Sequence, residues 1–166
     1  MCKRIFAYGS NLCPGRLRDH GVHSADMGVK AWLSGYRLRF NKRSSDGSGK
    51  ANLEQHEGSR VWGVLYSISD ADLDTLDRGE GGYDRVCLSV VTPDGKEHQA
   101  QVYLASEPGN DADLRPYTWY KRFLVEGALE HGLPSEYIAT LEKIEAVQDP
   151  DPDRDRRMRT LPCPVG

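Results

Sequence analysis

Apolar and polar positions alternate with a strand-like period over roughly the first two thirds of the chain, then recur at three and four residue steps. Residues 3–8 form a short aromatic and β-branched run that Gly9 stops, the pattern of a first strand. In residues 31–41, Trp32, Leu38 and Phe40 interleave with Arg37 and Arg39, which predicts a second strand. Residues 42–50 lack every core-forming type and read as an exposed loop. Residues 61–68 are the most apolar strand candidate, with Trp62, Val64, Leu65 and Tyr66. A short helix is allowed over 12–19, limited by Pro14 and Gly15.

Helix signals follow. Ser69 is placed to cap a helix whose first turn carries Asp70 and Asp72 and whose buried face carries Leu73 and Leu76. Gly79-Glu80-Gly81-Gly82 must be loop, because three glycines in four residues favour neither helix nor strand. Residues 83–92 and 98–105 read as two strands joined by a hairpin turn at Pro93-Asp94-Gly95-Lys96. Tyr117, Tyr120, Leu124 and Ala128 predict an amphipathic helix over 117–131, and Tyr137, Leu141 and Ile144 a second one. The sum is an α+β domain over residues 1–147. Residues 148–166 are rich in Asp, Pro and Arg, and are expected to form a poorly ordered tail.

Composition narrows the function classes. The chain has 166 residues, the length of one domain, with 22 Lys plus Arg against 25 Asp plus Glu and a net charge of -3. That balance speaks against a nucleic-acid-binding module, which carries a basic excess. No apolar run approaches the roughly 18 residues of a membrane helix. No apolar stretch follows Lys3 and Arg4 before the Gly-Ser-Asn turn, so no secretory leader is expected. Cys2, Cys13, Cys87 and Cys163 are scattered without a paired spacing, and are expected to be reduced thiols in a cytosolic protein.

Three groups of residues are candidates for chemistry. Tyr8-Gly9-Ser10-Asn11 ends a strand and exposes consecutive backbone N–H groups suited to an anion. Glu80 stands among glycines, where backbone can approach a ligand and a carboxylate can serve as general acid or base. Tyr117, Trp119 and Tyr120 open a helix, where aromatics usually pack in the core but a hydroxyl can face a ligand. Cys13, His20 and His23 lack the spacing of a metal site, because Gly21 breaks the helix that would align the histidines. Each signal alone is ordinary.

Their order along the chain is not. Phe6-Ala7-Tyr8-Gly9-Ser10-Asn11-Leu12, Val61-Trp62-Gly63-Val64-Leu65-Tyr66, and Leu76-Asp77-Arg78-Gly79-Glu80-Gly81 come in succession. Tyr120-Lys121, Gly127-Ala128 and Gly132-Leu133-Pro134-Ser135-Glu136-Tyr137 complete the series. Over residues 3–146 the chain resembles the γ-glutamylcyclotransferase family, and most closely its members acting on γ-glutamyl amino acids.

The resemblance implies a small distorted β-barrel of about five to seven strands with packed helices. It implies an enzyme that converts γ-glutamyl amino acids or dipeptides to 5-oxoproline, without metal or cofactor. Glu80 matches the family's acid/base carboxylate. Ile5, Phe6, Ala7, Tyr8, Gly9, Ser10 and Asn11 match the strand end and turn lining the glutamyl pocket, and Tyr120 and Tyr83 match aromatics at the substrate. The expected partner is a small γ-glutamyl molecule rather than nucleic acid or membrane, and the expected assembly is a homodimer. Two other readings stay open on sequence: a cyclotransferase for γ-glutamylamines or glutathione, and a non-catalytic binding domain of the same fold. Ser10 and Asn11 favour the amino acid type, and the presence of Glu80 favours catalysis.

Overall fold

The computed structural model describes residues 3–110 and 114–164; Cys2 lies outside the described residues. Five strands, β1 (Arg4–Ala7), β2 (Val29–Arg43), β3 (Gly49–Ser67), β4 (Tyr83–Val91) and β5 (Glu97–Ala105), close into a barrel in the order β1-β3-β2-β4-β5. Around it pack α1 (Pro14–Asp19), α2 (Asp70–Gly79), α3 (Thr118–Glu130), α4 (Ser135–Glu142) and α5 (Pro152–Thr160), with a single tight helical turn at Ser10–Leu12. The expected α+β barrel with packed helices is what the chain forms.

β1 is short because Gly9 ends it, yet Ile5, Phe6 and Ala7 are all buried. It runs antiparallel to β3, with Ile5 opposite Tyr66 and Ala7 opposite Val64, and parallel to β5 through Ile5 and Gln101. β4 and β5 form the hairpin expected at residues 93–96, closed by the Thr92 N–H donating to the Lys96 carbonyl at 3.0 Å. One face of α3, with Trp119, Phe123, Leu124 and Ala128, is buried, as the helical period required. Ser69 caps α2 by accepting from the Asp72 N–H at 3.1 Å. The Asp72 carboxylate in turn accepts from the N–H groups of His23 and Ser24, which fixes the chain before β2.

Two expectations about β2 and β3 need correction. The strands are 15 and 19 residues long, and β3 begins at Gly49, twelve residues before the apolar run that announced it. Residues 55–58 are exposed and show no apolar alternation; of them only Gln55 is paired with β2, opposite Tyr36, before the register shifts to Arg60 opposite Ser34. Residues 42–50 are not a free loop. Lys42 pairs with Lys50 and Arg43 with Gly49, which leaves a turn over 44–48 in which Ser48 is buried.

Residues 148–164 are also ordered. Asp151 caps α5 by accepting from the N–H groups of Asp153 and Arg154, and Pro152 occupies the first turn, where its missing N–H costs nothing. Few apolar residues are needed because each is placed well: Met158 and Cys163 are buried, and Arg122 Nη2 donates to the carbonyls of Met158 and Leu161. Cys163 is disulfide-bonded to Cys13, against the expectation of reduced thiols, and its carbonyl accepts from the Gly15 N–H at 2.7 Å. A separation of 150 residues gives no local signal of such a pair. Cys87 is exposed, with its Sγ 3.6 Å from Gln99 Oε1.

Asp149 anchors this segment. Fully buried, it accepts from Trp119 Nε1 at 2.9 Å and from Arg154 Nε and Nη2 at 2.6 Å each. The Arg154 hydrogen bonds hold its carboxyl down to about 2. A depressed native pKa stabilises the fold above the ordinary aspartate value, and that stability is lost as pH falls towards the native one. Asp149→Ala, which strands the Trp119 N–H, is expected to cost about 2 kcal/mol at neutral pH. Urea unfolding of both proteins measures this, and the difference should shrink at acid pH. Equal urea midpoints at pH 7 would show that Asp149 does not hold α5 in place.

Candidate active site

The end of β1 and its turn, α1, the turn between β2 and β3, the loop after α2, Tyr103 on β5 and Tyr120 on α3 meet around one space. Between them lies a cavity of about 350 Å³. Phe6, Ala7, Tyr8, Gly9, Ser10, Asn11, Glu80, Tyr83 and Tyr120 all line it, so nine of the ten residues singled out from sequence are brought together. Ile5 is the exception; it is buried in the barrel core and does not line the cavity.

Gly9 permits the close approach on which the wall depends. A Cβ there would sit 3.1 Å from both the Ala51 Cβ and the Tyr120 hydroxyl. That hydroxyl accepts from the Ala51 N–H at 3.0 Å, while Tyr83 donates to the Ala51 carbonyl at 2.7 Å. The peptide groups of Ala51 therefore position two of the four phenols that line the cavity. Tyr8 donates to the Tyr103 carbonyl, and the Tyr103 hydroxyl donates to Asp77 Oδ1 at 2.6 Å. Burial raises the pKa of Tyr8 and Tyr83, and pushes Tyr120 up to about 12. All three stay protonated at neutral pH, as neutral donors.

Glu80 follows the last turn of α2 and donates its N–H to the Leu76 carbonyl at 2.9 Å. The chain then turns sharply through Gly82, at φ +84°, a conformation that side chains with a Cβ rarely adopt. Burial raises the pKa of the Glu80 carboxyl above its ordinary value, against the opposing effects of an Asn11 hydrogen bond and of Arg16, Lys42 and Lys50. The negative end of the α2 dipole acts in the same direction as burial. Glu80 is the one carboxylate in the cavity wall among the described residues.

A short relay supports it. Asn11 Nδ2 donates to Glu80 Oε1 at 3.4 Å, and Asn11 Oδ1 lies 2.8 Å from His20 Nδ1. With the amide nitrogen turned to Glu80, Asn11 offers its oxygen to His20, so His20 is the donor in that bond. Burial lowers the His20 pKa to about 4, so the ring is neutral.

Sequence reading passes over Arg16, Lys42, Lys50 and Tyr103 and weighs His20 only as a metal ligand, yet all five line the cavity. Arg16 and His20 lie on and just after α1, and their spacing of four residues on a predicted helix was a signal that could have linked them. Lys42 and Lys50 were dismissed with their loop.

No metal site emerges. Among the described residues, no three His, Cys, Asp or Glu side chains are grouped so as to hold an ion. Cys13 is bonded to Cys163 and His20 to Asn11. No described helix is long and apolar enough to cross a membrane.

A closed small barrel with one desolvated carboxylate beside a strand-ending turn defines a class of compact proteins with a small-molecule pocket. Comparison with known proteins agrees. The profile of the AIG2-like family matches residues 60–141. A human protein named gamma-glutamylcyclotransferase is 34% identical over 149 residues, 84% of this chain and 77% of its own, and a mouse protein of the same name is also 34% identical with the same coverage. A solved structure described as a gamma-glutamyl cyclotransferase superimposes with a TM-score of 0.79 at 30% identity, covering 93% of this chain and 98% of that one. The chain belongs to the γ-glutamylcyclotransferase family.

Because the Asn11 hydrogen bond favours the ionised form of Glu80, Asn11→Ala is expected to raise the Glu80 pKa further. Carbon NMR titration of the glutamate carboxyls reads this directly. A Glu80 titration unchanged in Asn11→Ala would remove Asn11 from the control of that carboxyl.

Proposed function

We propose that this protein is a γ-glutamylcyclotransferase that converts γ-glutamyl amino acids or dipeptides to 5-oxoproline and the free amino acid or peptide, with Glu80 as general acid/base. The observation that carries this reading is the single desolvated carboxylate, Glu80, in a cavity otherwise walled by neutral phenols, backbone N–H groups and cations. The names of the relatives support it.

The reaction needs no nucleophile from the protein. The substrate's own α-amine attacks its γ-carbonyl, forming the ring C–N bond, and collapse of the tetrahedral intermediate breaks the amide C–N bond. Holding the glutamyl chain curled makes the attack intramolecular, an advantage of roughly 7–11 kcal/mol for well-oriented groups. An α-ammonium cannot attack, so Glu80 takes its proton and passes it to the departing amine. A raised pKa suits both halves of that exchange, since a stronger base accepts more readily and its acid still donates. The N–H groups of the Gly9–Asn11 turn and the Tyr120 hydroxyl, which accepts from the Ala51 N–H and keeps its own proton to give, supply donors for the α-carboxylate and the oxyanion. Asn11 and His20 position Glu80 rather than react.

The turn Ser10–Asn11 supports a γ-glutamyl amino acid over a γ-glutamylamine as substrate. Cytosolic action as a homodimer on a free small molecule belongs to the same proposal, although the Cys13–Cys163 bond removes the reduced-thiol argument for that compartment.

Glu80→Gln keeps the acceptor for Asn11 but cannot carry the proton. Its 5-oxoproline release is expected to fall by about 10³-fold or more. In the parent protein the acid limb of kcat/KM should lie above the ordinary glutamate value, because Glu80 must be ionised to accept the proton. The same raised pKa makes ionised Glu80 a cost to stability that is absent below the ordinary value of 4.5 and full above the native pKa. Thermal unfolding of Glu80→Gln should therefore show a higher Tm than the parent at neutral pH, and no gain at about pH 3. A folded Glu80→Gln protein that turns over at the parent rate would refute the mechanism.

A further inference from the structure

Lys42 and Lys50 are directly opposed across the β2–β3 ladder, and both line the cavity. Opposed residues project from the same face of a sheet with Cβ atoms about 5 Å apart, and like charges so placed destabilise the pair. Lys50 is partly compensated. Its ammonium lies 3.3 Å from Asp46 and packs over the rings of Trp119 and Tyr120, at 4.3 and 4.5 Å from their centroids. Burial still lowers its pKa to about 8.

Lys42 has no such acid. Its ammonium packs 5.3 Å from the centroid of the Tyr83 ring and against Gly82, where a Cβ would meet it at 3.1 Å. Among the described residues it forms no ion pair. The nearby loop carries Glu80, and that carboxylate already faces Lys42, Lys50 and Arg16 together. Arg16 is paired with Asp19 at 2.7 Å and Lys50 with Asp46. Among the described residues Lys42 is therefore the cavity cation without an ion pair, and the ammonium opposite it on the ladder adds to its attraction for an anion.

A γ-glutamyl conjugate brings one carboxylate on its glutamyl half, which the β1 turn can serve. A leaving amine without a carboxyl offers the lysines nothing, and a neutral amino acid offers one carboxylate. A dicarboxylic amino acid offers two, one for each ammonium, and relieves the repulsion across the ladder.

We propose that Lys42 and Lys50 form an anion-binding subsite for the leaving group, so that the preferred substrates are γ-glutamyl conjugates of dicarboxylic amino acids, such as γ-glutamyl-glutamate and γ-glutamyl-aspartate. The inference rests on the cyclotransferase reading above. The lysines bind and orient; bonds and protons move as already described, and the product leaving with 5-oxoproline is free glutamate or aspartate.

The test compares 5-oxoproline release from γ-glutamyl-glutamate, γ-glutamyl-alanine and γ-glutamyl-ethylamide by the parent, Lys42→Met and Lys42→Arg. The parent should favour γ-glutamyl-glutamate over γ-glutamyl-alanine by about tenfold in kcat/KM, mainly through KM. Lys42→Met should bring that ratio towards one, and Lys42→Arg should keep most of it. Equal kcat/KM for the two peptides in the parent overturns the subsite while leaving cyclotransfer intact, and this arm decides even if the methionine variant does not fold. A ratio unchanged in folded Lys42→Met also overturns it. No 5-oxoproline from any of the three conjugates overturns the cyclotransferase reading, and the subsite with it.

Discussion

β1 is hydrogen-bonded along both edges, antiparallel to β3 and parallel to β5, and that double pairing closes the barrel with a strand of only four residues. A closed barrel leaves no free edge, so the strand has one register and its exit is fixed. The turn at Gly9–Asn11 therefore leaves the barrel at a set angle, towards Ala51 on β3 and Tyr120 on α3. A looser edge strand would let the turn N–H groups and the phenols drift apart, and chemistry that depends on holding a substrate curled tolerates little drift.

The electrostatics follow from that enclosure. Desolvation keeps the phenols neutral, keeps His20 neutral and raises Glu80, so one acid is left to titrate where a proton must move. The cations near it are held by acids and aromatic faces together: Arg16 pairs with Asp19 and lies over Trp119 and Phe123, Lys50 pairs with Asp46 and lies over Trp119 and Tyr120, and Lys42 lies over Tyr83. Ring faces hold a cation without neutralising it. Lys42 thus keeps its charge in a polar cavity wall that carries, among the described residues, the one carboxylate of Glu80.

Much of the site was legible from the order of its segments along the chain, since each local signal alone was ordinary. Gly9 after an aromatic strand, and Glu80 between glycines, break the periodic pattern, and such breaks often mark close approach rather than packing. The missed residues sit where pattern is uninformative. Lys42 and Lys50 lie in a polar stretch that any composition rule assigns to solvent, and their placement comes from strand pairing eight residues apart. The order of residues 148–164 was hidden for a related reason. Met158, Cys163 and the buried Asp149 and Asp155 anchor it, and average hydropathy does not register four well-placed residues.

The sequence by itself determined the class of fold, the short first strand and its turn, the capped helix before Glu80 and the amphipathic face of α3. Each of these is written in residues that are neighbours along the chain, through period, capping and glycine placement. Only the tertiary structure decided the length of β2 and β3, the bond between Cys13 and Cys163, the relay from His20 through Asn11 to Glu80, and the meeting of Lys42 with Lys50 beside that carboxylate. Those features are contacts between segments whose separate patterns carry no record of each other, and they exist because closing the barrel forces distant residues into one small desolvated space.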